Sequence, residues 1–465
     1  MTSCRERIVP RISSLRGAIK RGKIRRLYNN QEYEAAINLA KQETESVING
    51  AFAQDIIVRG LWNLGEYEEL LDFVMVYKDA DPQKLAEKAK KMLDPLSLEI
   101  PPPLELAEMA WNERDLLANW HQVKSRLWLR HPRGWVYWDM PKEFNLDTVH
   151  PNLLALAIEV LLYPIVPEAA EIAVDHRPSG SKIGLSFSGG IDSTAAAILL
   201  PDTAFLAYHK RSFQSMIDHR LAENLFEELE INHGRDVFQI PSNHELLRTT
   251  WGKPVGFSTD FAAATHLILL ADVLDLGTIA FGTPIDNTWL AKGKKFRQFS
   301  ESDYWKKWST RFSQAGLQLE FPINHISEAG ALKICRQSPL LRHINSCLRG
   351  DGERWCGACW KCFHKNGPLG REFDFQSTEI QSFLSMKPLR TAQHALWAIQ
   401  SMGLEDSVPH LKEHLNKSLD WWESFYPPGL DLMNEPLRSY VEKRTRDYLN
   451  PMTQPYQLEL VELDL

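Results

Sequence analysis

The chain lacks any apolar run long enough to span a bilayer, which takes about 20 residues. Its longest candidate, residues 153–166, is interrupted by Glu159 and Pro164. Cysteine is scarce, with six in 465 residues, too few for a disulfide scaffold at this length. There is no excess of positive charge: 53 Lys and Arg face 60 Asp and Glu, a net charge of -7, so no general affinity for nucleic acid is expected. The first residues contain no apolar segment of the secretory kind, and no low-complexity tract interrupts the chain. These absences lead us to expect a soluble, cytoplasmic protein without membrane contact. Its length predicts two or three packed units rather than one core.

The residues that are present are unevenly placed. Between Met1 and Arg26 lie nine basic residues (Arg5, Arg7, Arg11, Arg16, Lys20, Arg21, Lys23, Arg25 and Arg26) against one acid, Glu6. We read 1–26 as a basic N-terminal arm, either a solvated, partly frayed end or a segment that touches phosphates or an acidic partner. In 27–100 the stretch 27–36 is echoed by 61–70 at an offset of 34 residues, with Leu27, Tyr28, Tyr33 and Glu34 matched by Leu61, Trp62, Tyr67 and Glu68. That period is the tetratricopeptide one, and the segment resembles the turn and second helix of such repeats. Pro82 falls where these repeats often carry a proline; its counterpart, Ile48, departs from the pattern. Pro101, Pro102 and Pro103 open a tryptophan-rich connector, 101–177, expected to be mostly helical, with Trp111, Trp120, Trp128, Trp135 and Trp138 as interdomain core rather than a base-stacking platform. Pro178-Ser179-Gly180-Ser181 reads as a mobile linker.

In 178–370 the pattern becomes alternating strand and helix: strands at 183–187, 204–207, 237–240 and 278–281, helices at 194–200, 218–229 and 261–274. This alternation predicts an α/β domain built on a parallel sheet covered on both faces. The remainder, 371–465, reads as a helical region with no recognisable chemistry.

The first predicted strand runs directly into Ser188-Gly189-Gly190-Ile191-Asp192-Ser193, and a helix follows. Two glycines allow backbone angles closed to other residues and let main-chain N–H groups approach an anion. The helix adds its positive end, and the Ser188 and Ser193 hydroxyls can donate to the same phosphates. Asp192 repels phosphate, so its expected task is to hold Mg²⁺ or orient the loop. The string resembles the signature of the PP-loop, or N-type ATP pyrophosphatase, superfamily. It is not a Walker A loop, because the Gly-Lys-Ser/Thr ending is missing. The resemblance implies that Ser188, Gly189, Gly190, Asp192 and Ser193 grip the pyrophosphate part of ATP while a substrate oxygen attacks the α-phosphate. It places adenine near the ends of the first two strands, with Tyr208 and His209 at its rim; Lys210 and Arg211 follow and could meet phosphate or a substrate carboxylate, or lie on a solvated surface.

Cys347, Cys356, Cys359 and Cys362 follow with the spacing C-x8-C-x2-C-x2-C. Two interlocked C-x-x-C steps aim backbone N–H groups at thiolates, and four thiolates complete a tetrahedral shell without an open position. A structural Zn²⁺ fits this set best, with an iron–sulfur cluster as the rival. Cys4 and Cys335 lie outside the spacing and read as free thiols. Loop and cluster together, over 182–365, resemble the 7-cyano-7-deazaguanine synthase (QueC) family, including Gly282 and Asp286 after the fourth strand and Phe321-Pro322-Ile323-Asn324 before a helix. Where that family carries a substrate-binding stretch after the aspartate, this chain has Asn287-Thr288-Trp289-Leu290-Ala291-Lys292-Gly293-Lys294-Lys295-Phe296-Arg297. The ATP chemistry therefore transfers better than the acceptor.

The resemblance implies an ATP-dependent, adenylate-forming C–N ligase using ATP, Mg²⁺ and Zn²⁺, with Asp192, Ser193 and Asp286 in catalysis. Its substrate would be a small carboxylated deazapurine, as in 7-carboxy-7-deazaguanine. Related enzymes with extra domains occur in anti-phage defence operons, and the helical repeats could present a protein amine in place of ammonia. Two other readings stand beside it: an RNA-modifying PP-loop enzyme of the thiolation or lysidine type, and a repeat-based adaptor without turnover.

Overall fold

The structure is a computed structural model and describes residues 8–44, 49–76, 85, 89, 109–170, 172–213, 215 and 217–465. Cys4, Ile48, Pro82 and the three prolines at 101–103 lie outside the described residues. The chain divides into two compact units, Met1–Ala107 and Glu108–Leu465.

In the first unit α1 (Ile8–Asn29) turns into α2 (Tyr33–Lys41), and α3 (Gly50–Leu64) turns into α4 (Tyr67–Val76). The 34-residue echo is thus two helix–turn–helix pairs in succession. Equivalent rings close both turns: Tyr28 against Tyr33 at 5.3 Å and Trp62 against Tyr67 at 5.1 Å. Gly65, with φ 79°, supplies the left-handed stop after α3. Gly60 lets α3 approach α2, since a Cβ there would meet Ile37 at 2.7 Å. The expected frayed arm is corrected from Ile8 onward, where the chain is helical. Gly17, Arg21, Ile24 and Tyr28 recur at i, i+4, i+7 and i+11, and Ile24 is wholly buried. Lys20 pairs with Glu43 at 2.5 Å, and the guanidinium of Arg21 lies over Phe52 at 5.3 Å, so part of the basic surplus serves helix packing.

The second unit is mixed α/β around an eight-stranded sheet ordered β1-β2-β3-β6-β5-β4-β7-β10. Its strands are β1 (Trp120–Val123), β2 (Arg126–His131), β3 (Gly134–Asp139), β4 (Lys182–Ser186), β5 (Phe205–Arg211), β6 (Val237–Ser242), β7 (Leu276–Phe281) and β10 (Gln318–Glu320); a separate small hairpin is formed by β8 (Leu290–Ala291) and β9 (Lys295–Phe296). The five strands β6, β5, β4, β7 and β10 are mutually parallel. In chain order their spatial sequence is third, second, first, fourth, fifth, so connections leave in opposite directions from β4 and β7. Such a switch point opens a crevice beyond the carboxyl ends of the two strands.

Three sequence expectations need correction here. Residues 101–177 are not mostly helical: β1, β2 and β3 form an antiparallel meander that joins the parallel sheet through Trp138 opposite Ser242. Tryptophan, valine and tyrosine favour a pleated surface, and two-residue turns, one with Lys124 at φ 53°, set the register. Among the described residues of this stretch only α5 (Pro151–Leu162) is a long helix, buried nearly all round. Trp120, Trp128 and Trp138 belong to the core of the second unit itself, with Trp138 stacked on His244 at 5.4 Å. The segment at 178–181 is docked rather than mobile: a Cβ on Gly180 would meet the Asp275 carbonyl at 2.5 Å, and Ser181 N–H donates to it. Residues 371–465 are mainly helical, as expected, and lie in the same compact unit as the sheet. Their side chains share the main core, and the tail seats on the β8–β9 hairpin through Phe296 N–H to Val461 O at 2.9 Å and Leu463 N–H to Lys294 O at 2.8 Å.

One buried acid makes stability depend on pH. Glu320, fully buried on β10, accepts from the Asn434 backbone and side chain, while its other oxygen has no partner. Burial pushes its pKa up to about 7. The native state therefore binds the proton more tightly than the unfolded chain, and stability falls as pH rises from the ordinary carboxyl range to about 7. We expect Glu320→Gln to remove roughly 3 kcal/mol of this loss at pH 8 while changing little at pH 4; urea unfolding of both proteins across that range checks it.

Candidate functional site

At the switch point β4 ends and the loop carrying Ser188 to Ser193 enters α6 (Ile191–Leu199). Gly189 takes φ 72°, where a side chain would be strained. The Ser188 and Ser193 hydroxyls are 3.0 Å apart, and Ser193 Oγ also accepts from Ser188 N–H at 3.2 Å. Thr194 N–H closes the first helical turn on the Gly190 carbonyl at 2.9 Å. Earlier N–H groups of a helix have no partner within it; that of Ile191 is taken by Ser346, which leaves those of Asp192 and Ser193 without an intrahelical partner. From the other side of the switch point, β7 delivers Gly282 against the loop. A Cβ there would stand 2.8 Å from both N and Cα of Ser193. Only glycine permits this approach.

Beneath the loop is a chain of charges. Lys365 Nζ lies 2.7 Å from Asp192 Oδ1 and 2.8 Å from Glu328 Oε2. Glu328 opens α10 (Glu328–Arg336), a favourable place for an anion, and its own N–H donates to Asp286 Oδ2 at 2.8 Å. Lys365, Glu328 and Asp286 are buried, whereas the Asp192 side chain keeps 29% of its surface exposed. Burial alone would raise the Glu328 pKa, but Lys365 overrides it and, with His394 and His364, holds the carboxylate well below its usual range. Burial and then the Glu328 charge push Asp286 well above the ordinary value, which favours its neutral form. Burial would lower the Lys365 pKa; the two carboxylates reverse this and raise it, so the ammonium persists. The structure thus brings Asp192, Ser193 and Asp286 into one neighbourhood.

The residues expected at or beside an adenine rim are placed differently. Tyr208 is buried, its ring 4.8 Å from Phe226 and its hydroxyl 2.6 Å from His219 Nδ1. Lys210 pairs with Glu223, and His209 contacts Glu245, which also takes both arms of Arg211 at 2.7 and 2.6 Å. All three side chains already have protein partners.

The four cysteines converge. Cys347 Sγ is 3.4 Å from Cys356 and 3.6 Å from Cys359, and Cys362 is 3.6 Å from Cys359 and 3.8 Å from Cys356. A tetrahedron with Zn–S bonds of about 2.3 Å has edges of about 3.8 Å, so the set fits a four-thiolate metal site with little adjustment. Cys335, buried and apart, donates its thiol to the Ile191 carbonyl at 3.4 Å.

Both ends of the cysteine segment grip the loop. Ser346, beside Cys347, accepts from Ile191 N–H at 3.0 Å and stands where a Cβ on Gly190 would approach to 3.2 Å. Cys362 begins a π-helical turn, Cys362–Asn366, closed by Gly367 N–H on the Cys362 carbonyl at 2.9 Å. That turn carries His364 and Lys365 inward, so Lys365 reaches Asp192. Sequence reasoning missed Ser346, Glu328, Lys365, His364 and His394. A lysine three residues after a metal cysteine was the available hint, but which charged groups become buried is decided by tertiary packing.

A model for a family of unknown function, DUF6395, matches residues 307–462, which include the cysteine segment, Glu328 and Lys365 but not the glycine-rich loop. No curated protein and no solved structure matches the chain. Among the described residues, no helix is long and apolar enough to cross a membrane.

The close approach at Gly282 yields a test. Gly282→Ala forces β7 and α6 apart, and we expect a stability loss of about 1–3 kcal/mol from overpacking. Chemical denaturation of both proteins checks it.

Proposed function

We propose that this protein is an ATP-dependent, adenylate-forming C–N ligase of the PP-loop type. In this reading a small carboxylated substrate of the 7-carboxy-7-deazaguanine kind is activated and passed to a nitrogen, either ammonia or the amine of a protein. The observation that carries it is the strand–Ser188-to-Ser193–helix turn at the switch point, backed by the buried Asp192–Lys365–Glu328 chain. A carboxylate oxygen attacks the α-phosphate, a P–O bond breaks and pyrophosphate leaves. The nitrogen then attacks the acyl carbon, losing a proton as AMP departs.

Charge accumulates on pyrophosphate in the first step, and donors already aimed at it lower that barrier. The first-turn amides, Ser188 and Ser193 are those donors. Asp192 would hold Mg²⁺, which would offset the charge of the triphosphate, or would orient the loop. Lys365 keeps the Asp192 carboxylate oriented, and the four-thiolate site, suited to zinc, fixes the turn on which Lys365 sits. The helix–turn–helix pairs of the first unit are the candidate surface for a protein partner.

ATP–pyrophosphate exchange tests this. With 7-carboxy-7-deazaguanine present, the full chain should exchange label, and Asp192→Asn should lower the rate at least about 100-fold. Absence of exchange across 7-carboxy-7-deazaguanine and related carboxylates, together with no magnesium-ATP binding by calorimetry, would remove the proposal.

A further inference from the structure

Behind Lys365 lies a second group of ligand-type side chains, of which the ligase reading uses Glu328 alone. Glu328 from α10, His364 from the π-helical turn and His394 from α12 (Ala392–Ser401) point their oxygen and nitrogen atoms to one spot, all within 4.8 Å of one another. Both histidines are wholly buried, and Glu328 is 6% exposed. Glu328 Oε2 lies 4.0 Å from His364 Nδ1 and 3.6 Å from His394 Nε2. In a tetrahedral site with bonds of about 2.0–2.1 Å, neighbouring ligand atoms are about 3.4 Å apart. Small side-chain rotations reach that separation.

Hydrogen bonding leaves this chemistry open. Neither His364 nitrogen has a partner, nor does His394 Nδ1; His394 Nε2–H donates to the His364 carbonyl at 3.1 Å, a bond and a proton that this nitrogen gives up when it ligates an ion. Buried imidazole nitrogens without partners are costly, and a lone pair given to a cation relieves that cost. The rings are held in place: His364 edge-on to Phe383 at 4.9 Å and Trp360 at 5.5 Å, His394 stacked on Trp397 at 5.2 Å. Charge favours a cation as well. Asp192 and Glu328 are two carboxylates around one ammonium, Lys365, which can stay with Asp192 while Glu328 turns to an ion. Trp360 and Phe383 also line a cavity of about 330 Å³, so one aromatic layer separates the group from a way in.

We propose that Glu328, His364 and His394 form a second metal site, distinct from the four cysteines, for a divalent ion that accepts mixed nitrogen and oxygen ligands, such as Zn²⁺ or Co²⁺. Two histidines and a carboxylate leave further coordination positions for water or a ligand. Neither the nucleotide loop nor the ligase chemistry is needed for it, so the two proposals stand or fall apart.

Cobalt titration of the metal-depleted full-length chain tests the site. The first equivalent should bring strong thiolate-to-cobalt bands from the cysteines. A second should bind with only weak visible bands and no further thiolate absorption. His394→Gln should bind one equivalent and keep the thiolate bands. Should the wild-type chain saturate at one equivalent, the proposal is wrong, whatever the variant does. It is equally wrong if His394→Gln still takes up two. If the variant fails to fold, the wild-type stoichiometry and spectrum decide alone.

Discussion

The second unit is organised around one ammonium group. Lys365 sits between Asp192 on the nucleotide-type loop and Glu328 at the head of α10, and both carboxylates depend on it. Charges taken out of water are tolerated only when paired, and breaking one such pair typically costs 3–5 kcal/mol. The fold must therefore hold three elements at fixed spacing: the loop after β4, the start of α10 and the turn after Cys362. Asp286 adds a fourth through the Glu328 N–H, so the ends of β4 and β7 are tied to the same point. A well-packed apolar core of the same volume is often at least as stable, so stability alone does not account for burying this charge.

That constraint explains why the cysteines lie where they do. A four-thiolate site adds no open coordination position for chemistry, but it fixes backbone. The segment it fixes contacts the loop twice, through Ser346 on Ile191 N–H and through Lys365 on Asp192. A metal bound there would stiffen the loop from outside, leaving its glycines free to take angles that an anion requires. Gly190 and Gly282 are then glycines for a second reason. Ser346 and α6 stand where their side chains would be.

The parallel part of the fold was legible because each βα unit carried its own period: strands at 183–187, 204–207, 237–240 and 278–281 correspond to β4 to β7, with the loop in the expected context. The antiparallel meander was not. Its strands are four to six residues long, its turns are Lys124-Ser125 and Pro132-Arg133 rather than Asn-Gly, and its tryptophans are compatible with either structure. In the site, Ser188, Gly189, Gly190, Asp192, Ser193 and the four cysteines could be read from local spacing. Lys365 and Glu328 could not, because a charged residue looks solvated in sequence unless its partner, 173 residues from Lys365 in the case of Asp192, is known to be near. Tyr208 and Lys210 show the converse. Strand order placed them near the crevice, but side-chain direction gave both to α7 (Arg220–His233) and its N-terminal flank instead.

The stretch after Asp286 bears on how far the ligase reading extends. In this chain it leaves the crevice at once. Arg297 folds back to accept no charge partner but to donate to the Thr288 carbonyl at 2.6 Å and the Asn287 carbonyl at 2.9 Å, and β8 and β9 become the seat of the C-terminal tail. Gly293 is wedged against Thr391, where a Cβ would meet its Cα at 2.4 Å, which joins the same hairpin to the head of α12. A segment committed on both sides to the C-terminal region is poorly suited to wrap a small substrate. The wall opposite the glycine-rich loop is thus built from residues that serve packing. Under the proposed ligase activity, such a wall favours a nitrogen donor brought from outside the chain over one enclosed by it.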